Sequence, residues 1–144
     1  MRIFTKADFI RGLVDHPYDT NPDLVAKVNF FYKSGDGKLT MAYYESPAGW
    51  FDVEVEGFNE IDYVLEGEVY LITEEQELVA RAGDAFHIQD GDRFRWQMTK
   101  PSRMVFFSWF TSNRMRRPIL LAKDRRRSSV EMLLWPASHP LAFT

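Results

Sequence analysis

The stretch "FNEIDYVLEGEV", Phe58 to Val69, carries two carboxylates two residues apart, Glu60 and Asp62. Strand geometry sends residues i and i+2 to one face, so both acids share a side with Val64. If that side is an interior, two acids in a poorly hydrated space push their pKa values apart, one of them upward. Such a pair can hold a cation or an amine, or carry a proton as a catalytic acid and base. The alternative is a hydrated rim, with the acids free in water or paired to Arg93 or Arg95. His87 is the third catalytic candidate, because imidazole titrates near neutral pH. It shares a strand face with Ala85, while Phe86 and Ile88 take the other. His87 is an acid–base group if the Ala85 face lines a cavity, and a surface or interface histidine if it does not. Tyr43, Trp50, Phe94 and Trp96 can stack on a ring or an aliphatic ligand, or serve as ordinary core aromatics. Gln89 completes the candidate ligand-binding set.

The elements that would position these residues are strands. "VNFFYK", the turn "SGDGK" and "LTMAYYES" read as a hairpin. "FDVEVE" alternates strictly, with Phe51, Val53 and Val55 on one face and Asp52, Glu54 and Glu56 on the other. "IDYVLEGEVYLI", "ELVARAGD", "AFHIQDGD", "RFRWQM" and "RMVFFSWF" follow, separated by turn residues. Many short strands at this spacing indicate a sandwich or a barrel, with a core over about residues 28–112. Phe106, Trp109 and Phe110, near the last strand, are candidates to face a partner subunit. A helix is expected over about 5–14, capped by Thr5 with Asp8 at its third position and stapled by Phe4 and Phe9. "DHPYDTNPD" reads as a loop. A second short helix is expected between Ser128, with Glu131 closing a capping box, and Pro136.

The whole chain, 144 residues and 45% hydrophobic, fits one domain with a real core. No apolar run approaches a bilayer span, and the N-terminal sequence lacks a signal-peptide pattern. There is no cysteine, which excludes a disulfide scaffold and thiolate ligands and suits the cytoplasm. Charge is unevenly spread. Residues 1–113 hold 11 Lys/Arg against 19 Asp/Glu, a net −8, and residues 114–144 hold 7 against 2, a net +5. The basic run "RMRRPILLAKDRRR" has no interleaved aromatics. It reads as a segment packing on the acidic body of its own fold or of a neighbour, without a nucleic-acid or membrane partner.

Six residues separate Glu60 from Gly67, and "AGDAFHIQDG" places Gly83 and Gly91 at a matching distance beyond. These spacings resemble the two motifs of the cupin superfamily across about residues 38–110. The resemblance implies an all-β jelly-roll barrel with short helices at both termini. In cupins a His-x-His pair, the Glu and a third His hold a metal. Here the pair falls on Glu54 and Glu56, or on Val53 and Val55. The third His falls on Phe94, the usual Pro on Gln89 and the final Asn on Met98, so only Glu60 remains. Within cupins, Gly49 and Phe51, the acid Glu60 before "YVLEGEV", and Trp96 resemble the ethanolamine-utilisation and (S)-ureidoglycine aminohydrolase-type subgroup. True ureidoglycine aminohydrolases keep a manganese site with histidines, so that activity is not implied here, and no metal or other cofactor is expected.

Three readings of the barrel interior follow. Glu54, Glu56 and Glu60 face inward and bind a hard cation; or Phe51, Val53 and Val55 fill a metal-free barrel that still binds a ligand; or the barrel is wholly structural. The expectation is a small homodimeric cupin binding a small polar metabolite through Glu60 and Asp62. It would act as a metal-independent lyase, isomerase or hydrolase, or else as a non-enzymatic sensing or assembly module.

Overall fold

The structure, a computed structural model, describes residues 1–111. Thr5 caps α1 (Lys6–Ile10): its Oγ1 accepts from Asp8 N, and the Asp8 carboxylate accepts from Thr5 N at 2.7 Å. The helix is shorter than the expected 5–14. Phe4 and Phe9 both pack on Phe31, with ring centroids 5.2 and 4.8 Å away, so they tie the helix down to the sheet. The C-terminal helix expected between Ser128 and Pro136 lies outside the described residues.

Ten strands follow: β1 (Val14–Tyr18), β2 (Asn21–Lys33), β3 (Leu39–Ser46), β4 (Gly49–Glu54), β5 (Phe58–Glu66), β6 (Glu68–Ile72), β7 (Glu77–Arg81), β8 (Ala85–Ile88), β9 (Arg93–Met98) and β10 (Ser102–Phe110). They form two antiparallel sheets, in the orders β1-β2-β3-β10-β5-β8 and β4-β9-β6-β7. The stretch expected as a loop is in fact the β1–β2 hairpin. Pro17 is tolerated there because β1 is an edge strand, where a missing N–H breaks no inner ladder. The correction matters, because this hairpin brings Tyr18 into the barrel.

The core lies between the sheets. Met104 and Phe106 from one sheet meet Phe51, Trp96 and Met98 from the other, all buried. Val55, Phe58 and Ile88 form a smaller cluster where the β4–β5 connection meets the β8–β9 turn. The chain changes sheets at Gly67, between β5 and β6. Its φ is 87°, and a Cβ there would lie 2.2 Å from Ser102 Oγ, so only glycine fits.

Candidate functional site

β5 alternates as its sequence predicts. Phe58, Glu60, Asp62 and Val64 point inward and are buried, Glu60 with 2% and Asp62 with 1% of its surface exposed. The acids line a cavity of about 30 Å³, room for about two water molecules. Around them stand Tyr18, Tyr44, Phe51, Trp96 and Phe106. Tyr18 Oη donates to Tyr44 Oη at 2.9 Å. Tyr18 stacks on Phe51, with ring centroids 3.8 Å apart, and Phe51 stacks on Trp96 at 5.4 Å.

The two acids are held differently. Ser108, on β10 opposite Glu60, donates a hydrogen bond to Glu60 Oε2. Asp62 accepts from no N–H or hydroxyl donor among the described residues, so its hydrogen-bonding neighbour is the Glu60 carboxyl, and the indole N–H of Trp96 has no partner there. Burial raises the Glu60 pKa to about 7, against the lowering effects of hydrogen bonds with the Ser108 hydroxyl and with Asp62. Burial, reinforced by the charge of Glu60, raises Asp62 well above the usual carboxylate range. Two carboxyls this close in a dry setting do not both ionise readily, so the pair retains a proton near neutral pH. Burial also raises the pKa values of Tyr18 and Tyr44, which stay protonated as neutral donors.

The sequence candidates divide. Glu60, Asp62 and Trp96 meet at the cavity, and Phe94 packs beside them on Trp96, with centroids 6.4 Å apart. The other four lie elsewhere. His87 is exposed on the outer face of β8 and stacks on Trp109 at 5.8 Å, so it cannot reach the barrel interior. Tyr43 points outward from β3, stacks on Phe9 of α1 and donates to Glu45 at 3.0 Å. Trp50 lies under the Arg95 guanidinium, 4.0 Å from its ring centroid. Gln89 is exposed in the turn after β8. The candidate subunit-facing residues also split, since Phe106 belongs to the buried core.

Tyr18, Tyr44 and Ser108 were missed by sequence reasoning. Ser108 was legible, since it shares strand parity with Phe106. Tyr44 was not, because "AYYE" is aromatic on both faces of the strand, and Tyr18 sat in the supposed loop.

The donors do not match a cupin metal centre. Val53 and Val55 turn toward the core clusters. Glu54 is bonded to Arg93 at 2.6 Å, away from Glu60. No cluster of three His, Cys, Asp or Glu suited to a metal occurs among the described residues. Two carboxyls and tyrosine hydroxyls, without imidazole, do not fit the usual cupin transition metals.

Two facing antiparallel sheets, a barrel-lining Glu on β5 and glycine turns at positions 67, 83 and 91 define a cupin jelly roll, the fold of solved cupin domains. Residues 16–114 match the family described as ethanolamine utilisation protein EutQ. The chain belongs to that family. The Clostridium difficile EutQ structure superposes with a TM-score of 0.58 at 22% identity, over 65% of this chain and 75% of that one. A putative ethanolamine utilization protein Q from Salmonella typhimurium gives 0.59 at 21%, over 68% and 80%. At such identities the likeness carries the fold alone. "Acetate kinase EutQ" of Escherichia coli is 35% identical over 52 residues, which span 36% of this chain but only 22% of that protein.

Proposed function

We propose that the barrel binds a small cationic hydrogen-bond donor, an ammonium ion or a compact primary amine, against Asp62 and Glu60. The carrying observation is a pair of fully buried carboxyls on a small cavity, which hydrogen-bond each other and of which Asp62 is reached by no N–H or hydroxyl donor among the described residues. A buried polar group left unpaired costs about 1–3 kcal/mol, and an amine would supply the missing donors. The unpartnered Trp96 N–H offers a contact to an acceptor on the same ligand. A small amino alcohol such as ethanolamine, named in the family's description, carries both groups, but at four heavy atoms it would enter a space for about two waters only with movement of the lining side chains. The acetate named for the Escherichia coli relative suits this cavity poorly, since it would meet two acids.

Any chemistry on such a ligand would use the proton shared by the two acids, in a metal-independent lyase, isomerase or hydrolase step. The cysteine-free sequence suits a reducing compartment, and the cytoplasm is the location we propose.

Titration calorimetry with ammonium, methylamine, ethanolamine and choline tests the binding reading. The small amines should bind, and choline, with its trimethylated head, should not fit. Affinity should rise with pH through about 7, the value to which burial lifts Glu60, because a cation prefers the ionised pair. Equal affinity in Asp62→Asn, or no heat with any amine, would remove the site.

A second reading has its own support. The stacked rings of Tyr18, Phe51 and Trp96 occupy much of the barrel, as a scaffold in a non-enzymatic sensing or assembly module would require. The absence of any amine effect would favour it.

A further inference from the structure

The two sheets part along β7 and β8, and the gap between them is a second cavity, of about 300 Å³. Leu71, Leu78 and Ala80 form one wall and Ala85 and Phe86 the other, with Asp84 at the turn that joins β7 to β8. Leu78 is 52% exposed, so among the described residues the cleft meets solvent there. Register ties this cleft to the buried acids. On one sheet Trp96, Leu71 and Leu78 form a cross-strand row that runs from the interior to the edge. On the other, Phe106, Asp62 and Phe86 form a row that also ends at an edge. Trp96 and Asp62 line the acid cavity, and Phe86 is the neighbour of Asp62 on the cleft side. The half-buried Phe86 ring packs edge-on against Trp96, with centroids 5.2 Å apart, and so bridges the sheets between cleft and acid cavity.

We propose that this cleft is the ligand's way in and that Phe86 is its gate, a specificity-determining residue that limits the ligand to compact amines. The inference rests on the amine reading given above. The acid cavity is enclosed: Tyr18, Phe51, Trp96 and Phe106 on its wall are each at most 5% exposed, so a ligand arrives only when a side chain moves. The other walls are fastened. Tyr18 is held by its bond to Tyr44 and its stack on Phe51. The hairpin behind it is latched to β4, where Asp52 N donates to Thr20 Oγ1 at 3.1 Å and Asn21 Nδ2 donates to Trp50 O at 3.0 Å. Val55, Phe58 and Ile88 pack together where β4 leads into β5. Phe86 has no polar atom to tether its ring, lies on the edge strand β8, and adjoins a ready space into which the ring can turn. Charge along this path suits a cation. The Asp84 carboxylate stands at the mouth and Glu60 with Asp62 at the end, while the Arg81 side chain is turned to Glu68 at 3.7 Å. With the gate shut, the site holds only a compact head group. A longer amine keeps the ring displaced and loses its packing on Trp96, so affinity falls as the alkyl tail grows.

The chain has no cysteine, so Met104→Cys in the full-length protein places a single thiol on the wall of the acid cavity, where Met104 is fully buried. A small neutral thiosulfonate should label this thiol about tenfold faster when Phe86→Ala is added, as expected when an opening step is removed. Phe94→Ala removes a different ring packed on Trp96 and should speed labelling by less than about twofold. If Phe86→Ala does not fold, Phe86→Leu should still speed labelling by about threefold. Circular dichroism checks the fold of each variant. Labelling uses no amine, so its result stands apart from the binding reading. In calorimetry, the affinity of butylamine relative to methylamine should rise about tenfold from wild type to the Phe86 variant, the worth of roughly two buried methylenes. Equal labelling rates with and without the change at Phe86, or equal acceleration by Phe94→Ala, would overturn the gate. An unchanged ratio of butylamine to methylamine affinity would overturn the length limit.

Discussion

β4 and β5 are consecutive strands of opposite design. β4 buries Phe51 and exposes Asp52, whose carboxylate pairs with Arg95 at 2.8 Å. β5 buries Glu60 and Asp62 and exposes Ile61, Tyr63 and Leu65. The first places each side chain where its solvation favours it. The second removes acids from water, which costs several kcal/mol per ion before compensation, and leaves apolar groups wet. A strand that opposes stability on both faces marks a place where something other than stability is served. Here the inner face is the candidate ligand site.

The sharpest contrast comes from removing one buried side chain from each strand. Phe51→Ala should destabilise the protein by about 3–5 kcal/mol, because the ring is clamped between Tyr18 and Trp96. Urea unfolding measures this, and a loss below about 1 kcal/mol would show that the stack is not what closes the barrel.

Glu60→Gln should act in the opposite direction. Folded Glu60 keeps its proton up to about pH 7, whereas its ordinary value is 4.5. Between those values the folded state binds more protons than the unfolded chain, so raising the pH lowers stability. Asp62, also raised, contributes a loss of the same sign. Glutamine has no such charge to lose and can donate to Asp62. Glu60→Gln should therefore raise stability at pH 8 by up to about 3 kcal/mol and leave it little changed at pH 4.5. His16 titrates with the opposite slope, because burial lowers its pKa. The difference between wild type and variant across pH cancels that contribution. Thermal melts that shift equally at both pH values would refute the buried proton-sharing pair.

Ser108→Ala removes the donor to Glu60 and should cost about 1–2 kcal/mol. It should also move the Glu60 titration upward, readable by carbon-detected NMR of the carboxyl. An unchanged titration would mean that Ser108 does not hold the charge.

The smallest effect belongs to β4. Arg95→Ala breaks the pair with Asp52 and the contact with Trp50. Both partners of the ion pair are about half exposed, so the change should stay within about 1 kcal/mol. A loss as large as that of Phe51→Ala would erase the distinction between the two strands.

Several features were determined by the sequence alone. Period-two geometry put Glu60, Asp62 and Val64 on one face and Phe51, Val53 and Val55 on one face. The glycine spacings indicated the barrel turns, and Thr5 with Asp8 marked the helix start. These are local properties, set by backbone geometry over a few residues. Tertiary structure decided the rest. Parity shows which residues share a face, but it cannot say which face turns inward when both are apolar. Tyr44 rather than Tyr43, and Phe86 rather than His87, face the barrel because of the sheets they pack against. Tyr18 reaches the site because an edge position tolerates Pro17. The size of the cavity and the lack of an N–H or hydroxyl donor at Asp62 depend on side chains from seven strands converging at one point, a sum of long-range contacts that no short stretch encodes.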